Sequence, residues 1–212
     1  MRKAIQLVKE VQGTMAIEGL KLKRHEVGIL YNCASGKISS KDAVKNLVAN
    51  SYYEYKGDNY YCYPNSFILK NKLNIKSETL LEEAERQITA VKILDLKMNP
   101  MKGDLNFEHL LNIHKYIFDD IYEWAGKTRS VNISKGSRFC NYAFINNIAN
   151  ETFSELHNDN YLIGLTEEEM IAKLSYYLGE LNAIHPFREG NGRTQRVFIE
   201  YLAYAAGYYV DF

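Results

Sequence analysis

Apolar residues recur every three or four positions through most of the chain, which is the spacing of helices that bury one face. The helical pattern covers residues 2–54, with a turn at 35–37, and residues 77–98, 106–122, 166–184 and 191–205. Residues 39–42 predict a helix start within the first segment, and Thr166 and Glu169 form a capping box at the start of the fourth segment. Pro100 and Pro186 follow the second and fourth segments, where a helix has to end. The pattern predicts an all-α fold.

One segment alternates between polar and apolar residues in the manner of a β-strand. Residues 128–134 alternate, and residues 135–139 follow with Gly136 at the expected turn. This pattern predicts a short β-hairpin, and it is the only good strand candidate in the sequence.

A tyrosine-rich segment, residues 52–64, interrupts the helical pattern and contains the turn signals Gly57 and Pro64. We expect a domain boundary here, between a helical unit of residues 1–55 and a larger domain of residues 56–212. An aromatic loop within a single domain is the simpler alternative.

Composition and charge exclude several classes of protein. The 26 basic and 26 acidic residues give no net charge, whereas a protein that coats nucleic acid by neutralising phosphates needs a basic excess. The apolar runs are short and interrupted by charges, and the first ten residues lack the pattern of a secretory signal. We therefore expect a cytoplasmic protein that binds neither nucleic acid nor a membrane.

The three cysteines, Cys33, Cys62 and Cys140, form no C-x-x-C pair. An odd number without such a pair favours reduced packing residues over disulfides or zinc ligands. Surface or packing roles are likewise expected of four histidines without metal-ligand spacing, namely His25, His109, His114 and His157.

Residues 185–196 lie between the last two predicted helices and contain groups that bind phosphate. Gly190 and Gly192 are placed at a helix N-terminus, where unpaired amides and the helix dipole attract anions. Arg193 and Arg196 fall in the first turn of that helix. Acidic residues are favoured at this position of an ordinary helix, so two cations there indicate an external polyanion.

Two further residues of this segment complete a candidate transfer site. Glu189 offers a hard oxygen ligand for Mg²⁺, and His185 offers a base, because the ordinary histidine pKa lies near neutrality. Taken singly, a histidine before a proline is usually a cap or a packing residue, and a glycine-rich turn is usually only a turn. Together, the histidine, the glutamate, the glycines and the arginines of residues 185–196 predict transfer of a phosphate-containing group to a nucleophile. Neither a Walker loop nor an H-E-x-x-H zinc motif occurs in the sequence.

The segment matches H-x-F-x-[DE]-G-N-G-R-x-x-R at every specified position and so resembles the signature of the Fic family (filamentation induced by cyclic AMP). The resemblance covers about residues 60 to 212. It implies a helical bundle with a hairpin flap that uses Mg²⁺ and ATP to transfer AMP to a Ser, Thr or Tyr hydroxyl of a target protein, releasing pyrophosphate. The related Doc branch carries lysine at the position of Gly192, so the glycine favours nucleotidyl transfer over phosphate transfer.

The resemblance also implies a role for each residue of the segment. His185 is implied to be the base that deprotonates the target hydroxyl, and Phe187 to seat the loop. Glu189 is implied to hold Mg²⁺ on the α- and β-phosphates. The remaining residues are implied to bind the phosphates: an anion hole of Gly190, Asn191 and Gly192, Arg193 at the β-phosphate and Arg196 at the γ-phosphate. Members of the family commonly continue past Gly207 with a further helix, so we expect this sequence to be a shortened protein or a fragment.

Residues 131–139 resemble the flap on which the target backbone is aligned as an added strand. Lys135 and Gly136 are the expected contacts in this flap. A solvated hairpin tip without such a role is the simpler interpretation.

Residues 14–19 match the pattern [ST]-x-x-x-E-[GN] found in regulators of Fic enzymes, and Thr14 and Glu18 share one helix face. By that resemblance, Glu18 pairs with Arg196 and occupies the position of the γ-phosphate, which inhibits the enzyme. Residues 8–50 resemble the small antitoxins of the family, so the chain resembles an antitoxin and a toxin joined together. The simpler interpretation is an amphipathic helix with a solvent-facing glutamate.

Alternative functions stay open at the level of sequence. One is an inactive Fic scaffold that acts as an interaction or antitoxin-type module. Others are an enzyme that transfers UMP or phosphocholine, or one that removes AMP with Glu18 aligning a water molecule. The target protein, the trigger that relieves inhibition, the nucleotide selectivity and the oligomeric state, including a homo-oligomer, are left open as well.

Overall fold

The computed structural model describes residues 2–17, 22, 24–44, 60–135 and 137–210 of the 212-residue chain. The chain divides into two units, Met1–Asn59 and Tyr60–Phe212. This division falls inside the tyrosine-rich segment. Within the described ranges no helix is both long and apolar enough to cross a membrane.

The first unit contains helix α1 (Arg2–Ile17) and helix α2 (Arg24–Ala34), which pack against each other. Residues 40–44 are also helical. The Ser39 hydroxyl accepts the amide of Asp42 at 3.0 Å, so this helix begins with a side-chain cap as the sequence predicts. Thr14 lies in α1, whereas Glu18 lies outside the described residues.

The described part of the second unit contains five α-helices, and the predicted all-α fold is confirmed. The helices are α3 (Glu78–Met98), α4 (Phe107–Phe118), α5 (Ile145–Asn158), α6 (Glu167–Ile184) and α7 (Asn191–Ala205). The side chains of Ser77, Asn106 and Thr166 each accept an amide of the first turn that they cap. The predicted capping box of Thr166 and Glu169 is present in both directions.

Helix α7 is the central element of this unit, because it packs against both α4 and α6. Five of its apolar side chains are almost completely buried: Val197, Phe198, Ile199, Leu202 and Ala203. Three of its polar side chains, Asn191, Thr194 and Gln195, are buried as well. Thr194 donates to the Gly190 carbonyl at 3.0 Å, and Gln195 donates to the Leu181 carbonyl at 2.9 Å. The core therefore holds α7 in place, and the first turn of α7 belongs to the segment of residues 185–196.

Helix α5 is absent from the prediction, although its buried residues follow helical spacing. They are Ile145, Ala149, Thr152, Phe153 and Leu156. Its other positions include four asparagines, and asparagine competes for backbone hydrogen bonds and lowers helix propensity. Packing of the apolar face therefore outweighs the weak local preference.

The hairpin is present but much shorter than the alternation predicts. Strand β1 (Ser134–Lys135) pairs antiparallel with β2 (Ser137–Arg138), with Ser134 opposite Arg138. Arg129, which lies in the alternating segment, leaves the strand pattern because its side chain is buried in the interior.

The Arg129 side chain is 2% exposed and binds backbone carbonyls on both sides of the hairpin and at the end of α6. It donates to Val131 O at 2.7 Å and to Cys140 O at 2.5 Å. It also donates to His185 O at 2.9 Å and to Ile184 O at 3.3 Å. Burial lowers the pKa of the guanidinium, and the four carbonyls compensate the buried charge.

We expect Arg129→Lys to destabilise the protein by about 3 kcal/mol, because a lysine ammonium cannot reach all of these carbonyls from one position. Urea unfolding followed by circular dichroism measures the change. Arg86→Lys, at an exposed site on α3, is the matched control and should leave the free energy of unfolding unchanged. Equal stability of the two variants would contradict the structural role of Arg129.

Candidate active site

His185 occupies the junction between α6 and the loop that leads to α7. It caps α6 in the left-handed conformation (φ 48°, ψ 62°), and its amide donates to Leu181 O at 2.9 Å. Its Nδ1 lies 3.2 Å from the Asn182 carbonyl. A carbonyl oxygen only accepts, so Nδ1 carries the proton and Nε2 holds the lone pair. The Phe139 ring, just after β2, stacks on the imidazole with the ring centroids 3.7 Å apart.

Asn191 holds the loop between His185 and α7 in a closed turn. Its Oδ1 accepts the Phe187 amide at 2.9 Å, and its Nδ2 donates to the Phe187 carbonyl at 2.8 Å. Both side chains are buried, and Phe187 has no exposed surface. The Asn191 side chain therefore shapes the loop, and only its backbone amide is oriented for anion binding by the first turn of α7.

His114, on α4, packs against the same loop. Its ring stacks on Phe187 with centroids 3.8 Å apart. Its Nδ1 accepts the Gly126 amide at 2.8 Å, so its Nε2 donates to the Glu189 carbonyl at 3.0 Å. Burial lowers the pKa of His114 to about 3, which keeps the ring neutral at physiological pH. The packing role expected from the sequence thus includes two hydrogen bonds that position the loop.

The two glycines of the loop face different surroundings. Gly190 has φ +80°, and a Cβ built on it would collide with the Phe118 ring. The fold therefore requires glycine there. A Cβ on Gly192 would meet only the flexible end of Arg196, at 3.3 Å. Nothing in the described protein requires glycine at position 192, so the space beside it is available to a ligand.

Arg193 is held by side chains from α3, α4 and the loop. Its Nη2 lies 2.5 Å from Glu85 Oε1 and 3.3 Å from Glu189 Oε1. Its Nη1 donates to Thr89 Oγ1 at 3.1 Å, and its guanidinium lies 4.8 Å from the Phe118 ring centroid. These contacts fix the cation beside the first turn of α7.

Glu85 contacts Arg193, and Tyr122 in turn contacts Glu85. The Glu85 side chain is only 12% exposed, and the Tyr122 hydroxyl donates to Glu85 Oε2. Burial and the neighbouring carboxylate raise the pKa of Tyr122 well above the ordinary tyrosine value, so the phenol stays protonated and donates. Neither residue is predicted from the sequence, because Glu85 lies 108 positions from Arg193 and 37 positions from Tyr122.

Arg196 and Glu189 differ from Arg193 in their exposure. Arg196 is exposed, and no carboxylate in the described part of the chain forms an ion pair with it. The Glu189 side chain is 44% exposed, and its Oε1 accepts the Gly190 amide at 2.8 Å. A cation and a carboxylate are therefore accessible near the N-terminus of α7.

The structure brings most of the predicted site residues together. His185 and Glu189 lie on the loop, and Gly190 to Gly192, Arg193 and Arg196 lie at the start of α7. Lys135 lies in β1, and Gly136 and Glu18 are outside the described residues. Groups of three or more metal-binding side chains are not found among the residues that the structure describes.

Comparison with known proteins places this geometry in a family. The sequence profile described as "Fic/DOC family" matches residues 104–203. Protein adenylyltransferase VbhT of Bartonella schoenbuchensis is 42% identical over 160 residues, which cover 74% of this chain but only 34% of VbhT. The probable protein adenylyltransferase Fic of Escherichia coli is 38% identical over 154 residues, which cover 72% of this chain and 76% of that protein. These names confirm the predicted enzyme class, a nucleotidyltransferase.

A solved structure agrees with the sequence relatives. BepC of Bartonella tribocorum, a VirB-translocated effector solved with bound AMPPNP, superposes with a TM-score of 0.66 and 28% identity. The match covers 72% of this chain and 80% of that one. The motif, the fold and the relatives agree, and the chain belongs to the Fic/DOC family.

Proposed function

We propose that the chain is an auto-inhibited protein adenylyltransferase, which transfers AMP from ATP to a Ser, Thr or Tyr hydroxyl of a target protein. The observation that carries the proposal is the position of His185, whose Nε2 holds a lone pair at the mouth of a loop that leads directly into the first turn of α7 and the exposed Arg196. The relatives VbhT and Fic, which are named as adenylyltransferases, and the AMPPNP bound to BepC support the choice of adenylyl transfer, since AMPPNP is an analogue of ATP.

In this mechanism, Nε2 of His185 accepts the proton of the target hydroxyl. The deprotonated oxygen attacks the α-phosphorus and forms the new O–P bond. The bond from the α-phosphorus to the bridging oxygen breaks in line, and pyrophosphate leaves. Asn182 keeps the proton on Nδ1 through its carbonyl, and Phe139 holds the plane of the ring, so the base has a fixed orientation.

The phosphates are proposed to lie against the N-terminus of α7. The amides of Asn191, Gly192 and Arg193 have no acceptor within the helix and point toward the bound anion. Arg193 and Arg196 would neutralise the β- and γ-phosphates. Such preorganised donors stabilise the charge that develops as the bond to the leaving group breaks.

Glu189 is the residue of this loop that would hold Mg²⁺. Its carboxylate is 44% exposed, and only Oε1 is engaged by described neighbours. This fits Mg²⁺, which commonly binds one or two carboxylates together with phosphate oxygens and water. When bound, the ion supplies charge neutralisation on the phosphates.

The hairpin is proposed to align the target next to His185. Phe139 connects the end of β2 with the imidazole, so a target strand added at Lys135 and Gly136 would run beside the base. Residues 1–55 are proposed to be the inhibitory module, with Thr14 and Glu18 in its motif. Glu18 would compete with the γ-phosphate for Arg196, because one guanidinium binds one of the two anions in the same geometry.

We expect His185→Ala, introduced into the uninhibited Glu18→Gly variant, to lower AMP transfer from radiolabelled ATP by about 10²-fold or more, because the double variant lacks the base. Nucleotide binding measured by calorimetry should change little. His157→Ala, at an exposed histidine on α5, serves as the control. Full transfer by the His185 variant would disprove its assignment.

The two glycines give a second, matched prediction. Gly190→Ala should lower the melting temperature, because its Cβ collides with Phe118 in a left-handed backbone. Gly192→Ala should melt like the wild type but bind ATP more weakly, because its Cβ enters the proposed phosphate position. Thermal unfolding and calorimetry on both variants separate the effects. Unchanged ATP affinity of Gly192→Ala would argue against that position.

The inhibitory module is tested with Glu18→Gly, which should label proteins in a cell lysate with AMP more strongly than the wild type. The double variant Glu18→Gly, His185→Ala should give no label. If Glu18→Gly and wild type label equally, Glu18 does not restrain the enzyme. If neither gives any label, the inactive scaffold becomes the better explanation.

A further inference from the structure

Helix α3 carries an exposed apolar stripe on the side that faces away from the core. Its largest members are Leu80, Val91, Leu94 and Met98, which are 57%, 67%, 57% and 68% exposed. The opposite side of the helix buries Leu81, Thr89 and Leu96. Single exposed apolar residues are common on protein surfaces, but a continuous row along one helix marks an interface.

The stripe has the spacing of a coiled-coil seam. Its six positions are separated by four, three, four, three and four residues along a 21-residue helix. They are Leu80, Ala84, Gln87, Val91, Leu94 and Met98. Alternating steps of four and three are the a and d positions of a heptad, which place side chains against one partner helix. The helix is about 31 Å long, enough for several layers of contact.

We infer that α3 is a homodimer interface, on which α3 of a second copy packs antiparallel about a two-fold axis at Ala90. In this register each seam residue packs between two seam residues of the second copy. Val91 packs between Gln87 and Val91 of the second copy, and Leu94 packs between Ala84 and Gln87 of the second copy. Met98 and Leu80 form the outer layers. Ala90 is small and exposed, so the two helices can approach closely at the axis.

Charge complementarity selects this antiparallel arrangement. Glu83 and Lys97 flank the seam on the same side as Ala90, and each is seven positions from it. A two-fold axis at Ala90 therefore places Glu83 opposite Lys97 of the second copy, twice in each dimer. A parallel pair would set like charges at the same height.

Both charged residues are available at the surface. The Lys97 side chain is 45% exposed, and its Nζ lies 2.7 Å from Glu200 Oε1. Glu83 is exposed and accepts from Gln87 Nε2 at 3.2 Å. Lys97 has three donors, so it can keep Glu200 and also bind a carboxylate of the second copy.

A cysteine cross-link tests the position of the axis. Ala90→Cys should form a disulfide-linked dimer under mild oxidation, because the two copies of residue 90 meet at the axis. Arg86→Cys is the matched control on the same helix. Its two copies would be about 12 Å apart along the helix axis, so it should cross-link no more than the wild type with its three native cysteines. Equal cross-linking of Ala90→Cys and Arg86→Cys would overturn the register.

Analytical ultracentrifugation of the full chain tests the interface itself. We expect a concentration-dependent dimer, and V91E should raise its dissociation constant by about tenfold or more. I171E is the control, because Ile171 is 61% exposed on α6. Circular dichroism should show both variants folded. The charge reversal E83K should weaken the dimer, because the introduced lysine would then face Lys97 of the second copy.

Two outcomes would overturn the proposal. One is a wild-type chain that stays monomeric from low to high micromolar concentration. The other is a dimer that V91E leaves intact. If a monomeric wild type became protease-sensitive at its N-terminal helices only in V91E, the stripe would instead bind the first unit of its own chain.

Discussion

The guanidinium of Arg129 ties two regions of the second unit together through their backbone. It binds carbonyls beside the hairpin, at Val131 and Cys140, and at the end of α6, at Ile184 and His185. Because carbonyl oxygens carry no counter-charge, the buried cation is stable only while all of these oxygens converge on it. The hairpin and the candidate base are therefore parts of one rigid arrangement. His114 and Asn191 complete it by fixing the loop that follows.

The two arginines of the motif have different electrostatic surroundings. Arg193 is neutralised by Glu85 and lies on Phe118, so its position is set before any ligand arrives. A phosphate that binds it has to share the guanidinium with these neighbours. Arg196 is exposed, and its side chain keeps rotamer freedom that a ligand has to reduce. Of the two arginines, Arg193 is therefore the one whose position is fixed before a ligand binds.

The sequence predicts the elements whose signal is local. The caps at Ser39 and Thr166, the end of α6 before Pro186 and the start of α7 at Asn191 all follow from short patterns. The loop that contains His185 was recognised for the same reason. Contacts between distant segments have no such signal, which is why Glu85, Tyr122 and the carbonyl contacts of Arg129 were missed. Helix α5 was missed because its asparagines mask a regular apolar face, and α4 ends earlier than predicted, at Phe118, where the chain turns.

The buried polar residues of α7 have a consequence for the rotation of that helix. Thr194 and Gln195 each bind one particular carbonyl in an otherwise apolar core, and a purely apolar helix could turn or slide among its neighbours at little cost. A small rotation of α7 would break both hydrogen bonds within the core. These two residues thus fix the rotation of α7 about its axis and, with it, the direction in which the side chains of Arg193 and Arg196 leave the helix. Apolar residues of the same size at these two positions could preserve the stability of the fold and still leave Arg193 and Arg196 less precisely oriented.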